Sequence, residues 1–192
     1  MSQYRKFVFE SYNFDADEKR LQLDYSLDGK VTFTEEYTFN FDFAEYDPRA
    51  LDKALQQLFF MAGVSYYKTY LPPDIEVKAG SLNSDEAEFY SKTYERGLGE
   101  FFYVNDLDPL TKIDFPVNSS DDSTVYNHSG EGFLVAVGGG KDSLVSAEIL
   151  SDKFPGQVET WSLNHEAQLA PLIKKMGTKH YFVGRKWDEK LN

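Results

Sequence analysis

Residues 133–149 read FLVAVGGGKDSLVSAEI and restrict the fold more than any other part of the chain. A β-branched apolar run, Phe133 to Val137, meets three glycines, and an amphipathic stretch follows from Asp142. The pattern is strand, glycine turn, helix. Glycines let the backbone approach a ligand without Cβ atoms in the way. The start of the helix presents unpaired N–H groups and the positive end of the helix dipole. An anion, phosphate above all, suits that place. Gly138, Gly139 and Gly140 would form the cradle, Lys141 adds a cation and Ser143 a hydroxyl. The Asp142 carboxylate suits a divalent metal such as Mg²⁺ bridging to the anion. The opposing reading is a glycine turn at a buried strand–helix junction with no ligand. The ligand is favoured because the residues arrive in the strand–turn–helix context that such motifs require.

Two common phosphate loops fail on spacing. In a Walker A loop, Val135 would occupy the first glycine position, and Asp142 follows the lysine. In a dinucleotide fingerprint, Ser143 would occupy the third glycine position. The residues resemble instead the PP-loop of the N-type ATP pyrophosphatases, Ser-Gly-Gly-x-Asp-Ser. Gly139, Gly140, Asp142 and Ser143 match it, Lys141 fills the variable position, and Gly138 replaces the usual leading serine.

Upstream, alternation of apolar and polar residues predicts strands over 5–13, 19–27 and 30–41, with Asp28-Gly29 as a two-residue hairpin turn. Asp47-Pro48 starts a helix, with Leu51, Leu55, Leu58 or Phe59, and Ala62 on one face, running on through Gly63 to Lys68. A short strand is expected at 75–77, then a helix capped by Ser84 or Asp85 and interrupted at Gly97 and Gly99. Residues 116–130 are rich in Ser and Asp and read as a linker, with the boundary near residue 128. Beyond it come strand 133–137, helix 142–152, strand 158–163, helix 165–176 ended by Gly177, and strand 180–183. This βαβαβ order predicts parallel strands with right-handed crossovers and a ligand at their carboxyl ends. The expected organisation is an acidic α+β domain over 1–115, a linker over 116–130 and the start of an α/β PP-loop domain over 131–192. Three parallel strands make a small nucleotide-binding sheet, so an amino-terminal piece of a longer protein is expected. The alternative is a compact chain whose open sheet edge a partner covers.

Composition narrows the chemistry. The 192 residues contain no cysteine, which removes disulfides, thiolate nucleophiles and cysteine metal sites from this segment. No stretch is long and apolar enough to span a bilayer, and no basic-then-apolar signal opens the chain, so no membrane partner and a cytoplasmic location are expected. Residues 129–192 carry 8 Lys+Arg and 8 Asp+Glu, so the whole net charge of −12 lies in residues 1–128. That balance argues against nonspecific nucleic-acid binding by the first part, while sequence-specific tRNA binding by the second stays open.

Three stretches in order, Gly63-Val64-Ser65-Tyr66-Tyr67-Lys68, Gly97-Leu98-Gly99-Glu100-Phe101 and Gly138-Gly139-Gly140-Lys141-Asp142-Ser143-Leu144-Val145, resemble the bacterial UDP-N-acetylmuramoyl-L-alanyl-L-glutamate epimerases. The resemblance covers nearly the whole chain, and the family continues well past residue 192. It implies an ATP- and Mg²⁺-dependent isomerase of peptidoglycan precursor synthesis. Such an enzyme activates the terminal glutamate of the UDP-muramoyl dipeptide as an acyl-adenylate, releases pyrophosphate, inverts the α-carbon and releases AMP. Gly139, Gly140, Asp142 and Ser143 would bind phosphate, with a less secure contribution from Lys141. By position, Ser162, Leu163 and Asn164 would lie against adenosine. Tyr66, Tyr67 and Lys68 could touch the UDP-sugar or peptide, although tyrosines at helical spacing are more often core. The catalytic base stays unassigned, with His165 and His180 candidates by chemistry alone. Two other functions fit the motif: another PP-loop adenylating enzyme (an amidotransferase or a tRNA-modifying enzyme), or a nucleotide-binding module without catalysis.

Overall fold

A computed structural model of the chain describes residues 3–43, 46–120 and 130–191. Strands β1 (Lys6–Asp15), β2 (Arg20–Leu27) and β3 (Val31–Phe39) form the expected antiparallel meander. Period-two alternation puts Phe7, Phe9, Leu21, Leu23, Tyr25, Leu27, Phe33 and Tyr37 on one buried face. Asp28 (φ 53°) and Gly29 (φ 66°) are both left-handed and Lys30 N donates to Leu27 O, but Leu27 pairs with Val31, so the loop spans residues 28–30, one more than the expected two-residue turn.

Helix α1 (Pro48–Ala62) starts as its sequence dictates, with the Asp47 carboxylate accepting from Arg49 N and Pro48 in the first turn. It ends earlier than its periodicity suggests. Gly63 separates it from the single turn α2 (Val64–Tyr67). A Cβ at Gly63 would stand 2.6 Å from Phe9 Cε1, so the glycine is what lets α1 and α2 press onto β1. Strand β4 (Asp74–Val77) joins β1 in parallel. Helix α3 (Ser84–Gly97) is capped by Asn83 rather than by Ser84 or Asp85. Asn83 Oδ1 accepts from Glu86 N, and the Glu86 carboxylate accepts from Asn83 N, closing a capping box. Helix α4 (Gly99–Val104) follows. Beyond it, Ile113 and Phe115 complete the core, their N–H groups donating to Glu95 Oε1 and Ser91 Oγ. Of the Ser- and Asp-rich stretch 116–130, Asn118 is tied to Leu82 N, while residues 121–129, with the boundary near 128, lie outside the described residues.

The second part follows the βαβαβ order with β5 (Phe133–Ala136), α5 (Lys141–Lys153), β6 (Val158–Leu163), α6 (Glu166–Met176) and β7 (Lys179–Lys186), all three strands parallel. Gly177 (φ 70°) closes α6, as expected. The two parts are halves of one mixed, seven-stranded sheet in the order β4-β1-β2-β3-β7-β6-β5. β7 runs antiparallel to β3, so the meander itself covers the outer edge of the third parallel strand. A free edge remains at β5 among the described residues.

The helices do not share a face. Helices α1 to α4 cover the meander face that bears Phe9 and Tyr25. Register continues that face onto β7, where Tyr37 lies opposite Arg185 and Phe39 opposite Val183. Helices α5 and α6 pack on the other face, around Val137, Leu169 and Ile173, with Leu144 and Phe182 beside them. At the seam, Glu35 Oε1 accepts from Tyr37 Oη at 2.6 Å and from Arg185 Nε at 2.7 Å. The Arg185 guanidinium also lies 5.0 Å from the centre of the Trp187 ring.

Candidate functional site: the glycine turn between β5 and α5

The turn leaves the carboxyl end of β5. Gly139 (φ 83°) holds a conformation that side chains disfavour, and a Cβ there would press within 3.3 Å of Leu169 Cδ2, so the turn rests on α6. Gly138 and Gly140 differ: a Cβ at either would meet nothing within 4 Å. The fold does not need their bareness. It leaves a strip of backbone open to whatever approaches the turn.

Gly140 is the N-cap of α5 and brings no capping side chain, so the first amides of α5 keep their donors for a group lying in the turn. Lys141 and Asp142 are exposed there. Ser143 is half-buried, and its hydroxyl donates to Gly140 O at 2.9 Å. It braces the turn as it stands and would donate to a phosphate by exchanging that bond. Among the described residues, no group of three or more His, Asp or Glu side chains could hold a metal. A lone carboxylate still fits Mg²⁺ that arrives with a nucleotide, because Mg²⁺ takes one or two carboxylates and fills its remaining positions with phosphate oxygens and water.

The end of β6 lies at the same end of the sheet as the turn. Ser162 is buried, with its hydroxyl 2.9 Å from His180 Nε2. Asn164 (φ 58°) accepts from Arg185 N through Oδ1 at 2.7 Å and donates to Arg185 O through Nδ2 at 3.2 Å. The polar groups of both side chains thus face β7, and Leu163 with the local backbone is what remains toward a ligand. His165 (φ 60°) is exposed at the start of α6. His180 places Nδ1 2.7 Å from Thr160 Oγ1 while Nε2 meets Ser162, and burial pushes its pKa below the ordinary 6.5 against the pull of Glu166. With both ring nitrogens engaged, His180 has none free to take a proton from a substrate.

The tyrosine stretch lies elsewhere. Tyr66 is 0% and Tyr67 2% exposed, and both lie in the core. Tyr66 stacks on Tyr25 at 4.9 Å and accepts from Asp188 N, while Tyr67 packs edge-on against Phe7. Burial raises both phenol pKa values. Lys68 alone of the three reaches solvent. The Glu35–Arg185 bond and the Asn164 brace carried no signal in the sequence, since their partners stand 150 and 21 residues apart. A cleft of about 680 Å³ is lined by Phe41, Phe43, Leu134, Trp161 and Tyr181 toward the amino ends of the strands, away from the turn.

Strand order β7-β6-β5, both helices on one face and an open glycine turn at a helix start define a parallel α/β half-sheet with an open turn at the carboxyl end of β5. The chain belongs to the family described as the MurL N-terminal domain, which it matches over residues 1–192. Among curated proteins, the UDP-N-acetyl-alpha-D-muramoyl-L-alanyl-L-glutamate epimerase of Micromonospora sp. (strain ATCC 39149 / NRRL 15099 / SCC 1413) is 33% identical over 185 residues, 88% of this chain and 41% of that protein. The like-named protein of Salinispora tropica is 36% identical over 152 residues, 75% of this chain and 33% of its own length. That of Xanthomonas oryzae pv. oryzae (strain MAFF 311018) is 40% identical over 117 residues, 58% of this chain and 25% of its own length. The chain thus spans well under half the length of the curated relatives it matches. No solved structure matches it. No helix among the described residues is long and apolar enough to cross a membrane.

Proposed function

We propose that this chain forms the amino-terminal part of an ATP-dependent epimerase of a UDP-muramoyl dipeptide, and that the Gly138–Gly140 turn holds the nucleotide phosphates. One observation carries the phosphate site: Gly138 and Gly140 border open space at the start of a helix that has no capping side chain. The names of the relatives support the substrate.

The chemistry asks for such a site. A free α-carboxylate resists loss of its α-proton, because the resulting enolate would be a dianion. Attack of that carboxylate on the α-phosphorus of ATP expels pyrophosphate and leaves a mixed anhydride, which acidifies the α-proton. Proton removal on one face and return on the other invert the centre. Water then attacks the carbonyl, and AMP departs. The backbone N–H groups of the turn and the amides of α5, already aimed, would steady the charge that builds on the departing pyrophosphate. Lys141 would add a cation beside them, and Asp142 would hold Mg²⁺, which spreads that charge when bound. The proton-transfer base would come from the remainder of the complete protein.

The test supplies the complete protein with ATP, Mg²⁺ and UDP-MurNAc-L-Ala-L-Glu and follows AMP and D-glutamate. Asp142→Asn and Ser143→Ala should each cut AMP formation by about tenfold or more, while the unfolding free energy shifts by no more than about 0.5 kcal/mol. Unchanged AMP formation in both variants would remove the phosphate site. Absence of both products with the unaltered protein would remove the epimerase. Residues 1–192 alone are expected to show no turnover.

A further inference from the structure

Parallel strands are stable in water when both of their faces are covered. In this protein one face of β5, β6 and β7 carries α5 and α6, and the other carries no helix among the described residues. Leu134 is 62% exposed on that bare face, and Leu163 lies beyond it at the end of β6. Phe41 reaches over part of the face, its ring centre 4.9 Å from that of Tyr181, and the 680 Å³ cleft lies between them and Leu134. The edge of β5 is bare as well among the described residues. Phe133 N and Val137 N donate to Gln157 O and Trp161 O. Alternation therefore turns the N–H groups of Leu134 and Ala136 away from β6, to the free side of β5. On α5, Val145 (54% exposed) and Ile149 (49%) form an apolar stripe opposite the buried Ala147.

Handedness connects the bare face with the bare edge. The crossovers from β5 to β6 and from β6 to β7 step one way across the sheet and put their helices on one face. A right-handed crossover from β7 back to the free edge of β5 steps the opposite way and must put its helix on the other face. One connected segment would fill both vacancies, a helix over Leu134 and the aromatic cleft followed by a strand along β5. The matched region is described as an N-terminal domain, and more than half of the Micromonospora protein lies outside the match. We propose that polypeptide following β7 in the complete protein docks here, as a helix on the bare face and a strand parallel to β5. That strand would end beside the Gly138–Gly140 turn and give the site its second wall. The docking rests on the sheet alone, whatever ligand the turn takes.

The test uses the complete protein without nucleotide, so its outcome is independent of the phosphate site. Hydrogen exchange should find the amides of Leu134 and Ala136 slowed by at least about 100-fold relative to an open strand. A photo-crosslinking p-benzoylphenylalanine in place of Leu134 should link within one chain to a peptide beyond residue 192. Links between two copies would assign the face to self-association and overturn the proposal. Fast exchange at both amides, or no link in a variant that retains the native circular dichroism spectrum, would also overturn it.

Discussion

The two halves of the sheet use opposite means of holding together. The meander half gathers 21 buried residues into one cluster, 13 of them Phe or Tyr, among the described residues. The parallel half gathers three, Val137, Leu169 and Ile173. The meander half also carries the whole net charge, while the parallel half is balanced. The open glycine turn thus belongs to the half with little core of its own, and the aromatic half serves as its platform. Stability and chemistry are divided along the chain.

Core truncation should expose this division most strongly. Phe9 packs its ring against Phe7, Tyr25, Phe59, Phe60 and Phe115. Phe9→Ala should cost about 3–5 kcal/mol of unfolding free energy in urea titrations. Ile173→Ala, beside only a few partners, should fall at or below about 2 kcal/mol, the low end for such truncations. Equal losses at the two sites would show that the halves share one core after all.

The seam comes next. Glu35 is fully buried and Arg185 half-buried, and each finds its charge partner in the other half. Arg185→Met would strand a buried carboxylate and should cost about 3–5 kcal/mol. Adding Glu35→Gln should recover most of the loss, because no buried charge then lacks a partner. Additive losses in this double-mutant cycle would show that the pair does not couple the halves.

Much of this contrast was legible in the sequence, and the part that was not has a common cause. Periodicity located the meander, the βαβαβ run and the glycine turn, because strand and helix repeats are local. Asp47-Pro48 marked the start of α1 for the same reason. At α3, Asn83 takes the cap, and Glu86 three residues on returns the bond to close the capping box. As a string of letters, Tyr66 and Tyr67 admitted a substrate role, although their helical spacing favoured the core. Their burial against Tyr25 and Phe7, with the Phe9 ring against Gly63, places them in the core. The β3–β7 pairing joins residues about 150 apart, and nothing in either strand names the other. In the turn, the sequence called for three glycines alike. The structure separates Gly139, needed for its φ, from Gly138 and Gly140, whose bareness serves no packing.

The smallest effect is a pH dependence confined to the parallel half. His165 and His180 both lie there, and no histidine occurs before residue 128. Burial holds the His180 pKa below the ordinary 6.5 in the folded chain, with Glu166 opposing. As pH falls below 6.5 the unfolded chain therefore takes up this proton first, and unfolding becomes easier. The stabilisation from neutral His180 is complete above pH 6.5 and is lost as pH falls toward the folded-state value. Glu159 in the same half also loses stabilisation on acidification, through its bonds to Tyr181 and Lys179, but its pKa lies below 4.5, so its window falls lower. Amide exchange in β6 and β7 should accelerate as pH falls below 6.5, after correction for intrinsic rates, while β1 and β2 stay protected. His180→Gln keeps a polar side chain between Thr160 and Ser162 but cannot titrate, so it should flatten the trend in β6 and β7. An unchanged trend in that variant would assign the pH dependence to another group. Equal acceleration in β1 and β2 would mean that the two halves open as one.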